Sequence, residues 1–170
     1  NCGVPGETVQ SSLKNLRHRV EALDPDTGVI YQATNDLSQE VRRLAEMQGL
    51  TSAGGNEPSW LARHLRLWEL AEKNLRVIFA KRGAESDRGR VTLDQVRLGN
   101  KFRDDLRELV AAAGRNNRRV VVATFSTRLR PEQSTDVMKQ SAVSALVYMP
   151  FMSLDGLLIG YGRYNDVIRE

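Results

Sequence analysis

RRVVVATF, residues 118–125, is the stretch whose reading decides the fold. It carries three consecutive valines with no polar alternation, and such a run suits a parallel strand covered on both faces. A shorter segment, GVIYQ at 28–32, reads as a second buried strand. Each is preceded by a helical pattern. Before GVIYQ, apolar residues fall at Val9, Leu13, Leu16, Val20 and Leu23, and these spacings of four and three share one helical face. Thr8 is placed to cap that helix, and DPDTG (24–28) breaks it. Before RRVVVATF the face runs Phe102, Leu106, Leu109 and Ala113, with Gly114 as the stop. Thr92 and Gln95 have the spacing of a capping box at its start. Helix-then-strand pairs predict parallel βα units, hence an α/β fold.

The bulk numbers restrict the function classes. A length of 170 residues predicts one domain over 1–170 with a sizeable core. The charge of +4 is a mild excess, with basic residues scattered among acidic neighbours; RNNRR (115–119) reads as a solvated helix end, so no nucleic-acid partner is expected. Cys2 is the single cysteine, which excludes an intrachain disulfide and reads as a small buried side chain. His18 and His64 are the two histidines, far apart and away from Cys2, so no zinc site is expected. The longest apolar run is too short to span a bilayer, so no integral membrane segment is expected. Compartment and oligomeric state stay open.

Residues 51–91 stand apart as an insertion. TSAGGNEPS (51–59) is a polar loop, and the segment after it carries Leu61, Leu65, Trp68, Leu75, Ile78 and Phe79 at helical spacing. That stripe reads as core-facing, and part of it is a candidate wall for a substrate pocket. Residues 81–91 form a charged linker. Toward the C-terminus, STDVMKQSAVSALVYMP (134–150) reads as helical, and a last helix begins near Asp155 with Tyr161, Tyr164, Val167 and Ile168.

The chemistry-bearing residues lie just past strands, where open α/β sheets bind ligands. NCGVPGET (1–8) holds Gly6, whose backbone N–H can approach a ligand because no Cβ intervenes. YQATND (31–36) holds Asn35, an uncharged side-chain donor. Singly these are ordinary turn and cap residues. Converging, two such donors make an oxyanion hole for acyl transfer.

In order and spacing, NCGVPGET followed by PDTGVIYQATND resembles the second and third sequence blocks of the SGNH (GDSL-type) hydrolases, N-x-G-x-x-G-x-T and G-x-N-D. FRDDLRELVAAAGRNNRRVVVATFSTRLR (102–130) is similar to that family's long helix and fourth strand, and YNDVIRE (164–170) to the helix before its last strand. The resemblance implies a three-layer α/β/α sandwich on a parallel sheet of flavodoxin-like strand order 2-1-3-4-5. It also implies an esterase or lipase-like acyl hydrolase, with Gly6 and Asn35 as oxyanion donors. The substrate would be a small-molecule, acyl-carbohydrate or lipid ester, with no cofactor. Ala33 departs from the pattern, standing where the family has Gly.

The family's nucleophile is a Ser in a G-D-S block on the first strand, and its base is a His in a D-x-x-H block near the end. Neither block occurs in this sequence: Asn15 stands three before His18, and Leu61 three before His64. The expectation is therefore a central portion lacking its first and last strands, inactive alone, with nucleophile and base supplied from outside it. The alternative is a non-catalytic module of the same fold that binds an acylated sugar or lipid. Ser126, past the second strand, reads as a loop hydrogen-bonder because no base accompanies it. Arg128 and Arg130 read as surface residues or as cleft residues that hold an anionic substrate.

Overall fold

Two short strands pair in parallel in an otherwise helix-rich chain. They are β1 (Thr27–Ile30) and β2 (Arg119–Val122), with Thr27 opposite Arg119 and Ile30 opposite Val122. They belong to a computed structural model that describes residues 6–50, 89–115 and 118–170. Five α-helices lie among the described residues: α1 (Val9–Asn15), α2 (Thr34–Met47), α3 (Asn100–Ala113), α4 (Thr135–Tyr148) and α5 (Leu154–Arg169). The α/β class and the parallel pairing of the two predicted strands are therefore present. The loop and amphipathic stripe expected over 51–88, together with Cys2 and His64, lie outside the described residues.

The expected covering of the sheet on both faces does not hold. Ile30 is buried, but its strand neighbour Val29 is 70% exposed, and Val121 directly opposite is 45% exposed. Side chains alternate across a strand, so Val29 and Val121 share one face and Ile30 points to the other. Only the second face meets the core.

The chain divides into two compact units. The first comprises Asn1–Glu40, Asp94–Thr127 and Ile159–Glu170, and the second Val41–Leu93 and Arg128–Leu158. In the first, α1 packs on α3. Thr8 caps α1 as its sequence position predicts, accepting from the Ser11 N–H. Val9, Leu13 and Leu16 are buried, as are Phe102, Leu106, Leu109 and Ala113 on the facing helix. The α1 stripe stops short of its expected length. The backbone widens to a π-helical turn at Leu16–Val20 and tightens to a 3-10 turn at Glu21–Leu23, which shifts Leu23 off the apolar face and leaves it 69% exposed. Asp24 ends the segment in the left-handed region at φ 43°. Its carboxylate pairs with Arg118 at 3.1 Å, while the Arg118 Nε and Nη1 are buried without a partner.

The capping box at Thr92 does not form, and α3 begins eight residues later behind Gly99 at φ 78°. The Gln48 side chain brackets the Thr92 backbone, accepting from its N–H at 3.0 Å and donating to its carbonyl at 2.9 Å. Those bonds take the groups a helix start would need. The anion at the start of α3 comes instead from Glu40, which accepts from the Gly99 N–H at 3.1 Å and from the Tyr164 hydroxyl at 2.6 Å. A carboxylate there also complements the helix dipole. Tyr164 stacks on Phe102 with ring centroids 4.4 Å apart.

In the second unit the core comprises Val41, Ala45, Ala142, Leu146, Met149, Met152 and Leu157. Arg90 ties it to the backbone by donating to the carbonyls of Pro150 and Met152.

Candidate functional site

The segment after β1 carries most of the site. Beyond Ile30 the chain runs through Tyr31, Gln32 and buried Ala33 into α2. Ala33 fits without opening the loop: its side chain is 3% exposed, and its carbonyl accepts from the Leu37 N–H at 2.9 Å. The first turn of α2 then presents Asn35 and Asp36 to the segment before α1. Asn35 Nδ2 donates to the Glu7 carbonyl at 2.9 Å. Asp36 accepts the Val9 N–H on both carboxylate oxygens, at 3.1 and 3.3 Å. Nearby, Gln32 Nε2 donates to Ser12 Oγ at 2.8 Å.

Gly6 lies one residue from Glu7, so the two residues expected to act together, Gly6 and Asn35, are brought to one place. Gly6 is exposed and left-handed at φ 86°, a backbone geometry that favours glycine. A Cβ built there would meet nothing within 4 Å. The requirement for glycine is therefore conformational and not steric, and the turn is open around it. An amide nitrogen carries two N–H bonds, so Asn35 can hold Glu7 with one and present the other to a ligand oxygen. A backbone N–H in an open turn beside a neutral amide donor suits a negatively charged oxygen.

Asp36 was not singled out by sequence reasoning beyond its place in YQATND. Burial pushes its carboxyl up to about 6, reinforced by the charge of Asp105; the Val9 N–H and Lys101 pull the other way. Its position after a strand at a helix start gives no hint of a partner 27 residues away.

At the end of β2 the ladder runs one residue further, with the Ala123 N–H donating to the Ile30 carbonyl at 2.9 Å. Phe125 is then gripped by Asn165 of α5, whose Oδ1 accepts from the Phe125 N–H at 2.7 Å while Nδ2 donates to the Phe125 carbonyl at 2.9 Å. The Phe125 ring stacks between Tyr31 (5.8 Å) and Tyr161 (5.1 Å). Ser126 is exposed, and its backbone N–H donates at 3.2 Å to the hydroxyl of Tyr31, which follows the other strand. Burial raises the Tyr161 phenol above its ordinary value, opposed by the nearby Thr34 hydroxyl. That hydroxyl is buried and makes no well-formed hydrogen bond. Arg128 and Arg130 belong to the second unit, where Gln133 spans their backbone.

Among the described residues, no three or more His, Cys, Asp or Glu side chains gather where a metal ion could be held. No described helix is long and apolar enough to cross a membrane. Comparisons with protein-family models, with curated proteins and with solved structures found no match for this chain.

Proposed function

We propose that residues 1–170 are the central portion of a serine ester hydrolase of the SGNH type, with Gly6 N–H and the Asn35 side chain as two donors of its oxyanion hole. The observation that carries this reading is the 2.9 Å bond from Asn35 Nδ2 to the Glu7 carbonyl, which holds the amide beside the Gly6 turn. The bond supports the reading because it ties Asn35 to the residue that follows Gly6 in the chain. The left-handed Gly6 and the parallel pairing of β1 with β2 agree with the same reading. The three-layer sandwich and its 2-1-3-4-5 order belong to this proposal.

In the proposed reaction a Ser outside these residues attacks an ester carbonyl while a His takes its proton. The carbonyl oxygen gains the negative charge, and the Gly6 and Asn35 N–H groups stabilise it. The intermediate collapses with cleavage of the ester C–O bond, and the alcohol leaves with the proton held by the His. Water, deprotonated by the same His, then attacks the acyl-enzyme and releases the carboxylic acid and the serine. Asn35 suits this task because it donates without exchanging a proton with the intermediate.

The test uses the protein that carries residues 1–170, a short-chain p-nitrophenyl ester, and a fluorophosphonate label read by intact mass. A single covalent adduct and turnover are expected. Asn35→Ala should lower kcat about a hundredfold, roughly 3 kcal/mol of transition-state stabilisation. An unchanged kcat in Asn35→Ala would remove the oxyanion assignment. No adduct and no turnover would put the non-catalytic binding module in its place.

A further inference from the structure

A donor in an oxyanion site must be held still, and Gly6 lies in an exposed turn with open space around its Cβ position. Among the described residues, nothing packs against the Gly6 Cβ position. The restraint comes from the residues that follow. Thr8 is buried, Glu7 offers its carbonyl to Asn35, and Val9 gives its N–H to Asp36.

Val9 is the first residue of α1, and first-turn N–H groups have no partner within their own helix. The Thr8 hydroxyl serves Ser11 at 3.4 Å, not Val9. The Val9 N–H therefore depends on Asp36. Two adjacent side chains of α2 thus take hold on either side of Thr8, one by donating and the other by accepting. Two such holds of opposite polarity prevent both sliding and rotation of the short segment between them.

From this geometry we infer that Asp36 is a positioning residue: with Asn35 it splints Glu7–Val9, and so sets where the Gly6 N–H points. The catalytic part of the inference rests on the oxyanion reading above; the splint itself does not.

The splint has a built-in pH response. The charged groups acting on Asp36 are Asp105 and Lys101 of α3, which pair with each other at 2.7 Å. The first turn of α1 carries no acidic side chain; on α2 the N–H of Asp36 itself bonds the carboxylate, and Glu40, one turn on, is held by the Gly99 N–H and the Tyr164 hydroxyl. With the carboxyl pushed up to about 6, it passes from ionised to protonated as pH falls through that value. Protonation turns a charge-assisted acceptor into a neutral one, which binds Val9 more weakly.

The decisive experiment is amide hydrogen exchange of Val9 by NMR, corrected for the intrinsic pH dependence of exchange. It is run on the wild type, Asp36→Ala and Asp36→Asn, with circular dichroism to verify folding. Val9 protection should drop about fivefold or more in Asp36→Ala, in line with the loss of a hydrogen bond to a charged group. In the wild type it should fall about fivefold between pH 7.5 and pH 5. Asp36→Asn offers a neutral carbonyl acceptor, as the protonated carboxyl does, so its Val9 protection should sit at the wild type's pH 5 level and not change with pH. Val9 exchange that is equal in wild type and Asp36→Ala overturns the splint, and a pH-independent wild type overturns its pH response.

Activity is the second readout. In Asp36→Ala kcat should fall about tenfold with KM little changed, the pattern of a misplaced transition-state donor. Asp36→Asn should restore it. An active wild type whose kcat ignores Asp36→Ala overturns the positioning role even if Val9 exchange responds. If the wild type hydrolyses no ester, the oxyanion reading fails, and Val9 exchange alone decides whether the splint stands.

Discussion

The two strands end in different ways, although each end is gripped by an asparagine. After β1 the asparagine is local: Asn35 sits five residues beyond Ile30, works beside a carboxylate, and holds an open, exposed turn. After β2 it is remote. Asn165 comes from α5, closes both backbone groups of Phe125, and is backed by stacked rings of Tyr31, Phe125 and Tyr161. The first arrangement is charged and lightly packed, and it answers to pH. The second is built of an amide, backbone groups and stacked rings, with no carboxylate or basic side chain in the clamp. A sheet edge can thus combine a rigid margin with one that stays adjustable, and the candidate donors sit on the adjustable margin.

Removing the remote clamp should have the largest effect on stability. Asn165→Ala leaves a part-buried N–H and a part-buried carbonyl of Phe125 without their partner. At about 1.5 kcal/mol for each unsatisfied group, urea unfolding should show a loss of about 3 kcal/mol, insensitive to pH between 5 and 8. Asn165→Asp should not rescue it, because a carboxylate oxygen would face the Phe125 carbonyl. A loss under about 0.5 kcal/mol would mean that water replaces the clamp freely, and the contrast between the two ends would collapse.

The charged end should show the next largest effect, with the opposite tendency. The Asp36 carboxyl is raised from 3.8 to about 6 on folding, so between those values the folded chain holds the proton more tightly than the unfolded one. Stability from this group is therefore fully present below pH 3.8, declines as pH rises through about 6, and is then flat. The full shift corresponds to roughly 3 kcal/mol, and solvent access to this half-buried group reduces that to about 2 kcal/mol. Asp36→Asn removes the ionisation and keeps an acceptor, so it should be about 2 kcal/mol more stable than the wild type at pH 7.5, with most of that gain gone at pH 3.5. The comparison is made between the two proteins at each pH. Other groups, such as Glu170 held low by Arg103, push in the opposite direction but cancel in the difference. A difference that does not change with pH would remove the titrating carboxylate from the account.

What was legible in the sequence follows from distance along the chain. Thr8 as a cap, the Phe102–Leu106–Leu109–Ala113 face and the buried Tyr161, Tyr164 and Val167 all came through, because helical spacing and caps act within a few residues. Thr92 failed because a capping box weighs only its own neighbours, while Gln48 arrives from 44 residues away. Leu23 failed because a period of 3.6 cannot anticipate a π-turn. The helix α2 lies outside the sequence expectations, although Leu37, Val41 and Ala45 are buried at helical spacing: its start follows β1 after three residues, with no glycine or proline to mark the change. For the site, the candidate donors Gly6 and Asn35 could be named from motif order. The Asp36–Val9 bond beside them and the Asn165–Phe125 clamp at the other strand end could not, since both are pairings that only folding reveals.

The smallest expected effect separates the two ends most sharply. Gly6→Ala meets no steric obstacle, so its cost is the left-handed backbone alone, about 1 kcal/mol. That cost exists only while something forces φ to 86°. If Asn35 and Asp36 do the forcing, releasing Val9 with Asp36→Ala lets the turn relax to a negative φ, and the alanine is then accommodated. The double mutant Gly6→Ala/Asp36→Ala should therefore be more stable than the sum of its parts, with a coupling of about 0.5–1 kcal/mol. The same Gly6→Ala on the Asn165→Ala background should add within about 0.3 kcal/mol, since that clamp holds Phe125 and not the turn. Equal coupling on both backgrounds would mean that the strand ends respond as one body, and local restraint at the Gly6 turn would no longer distinguish them.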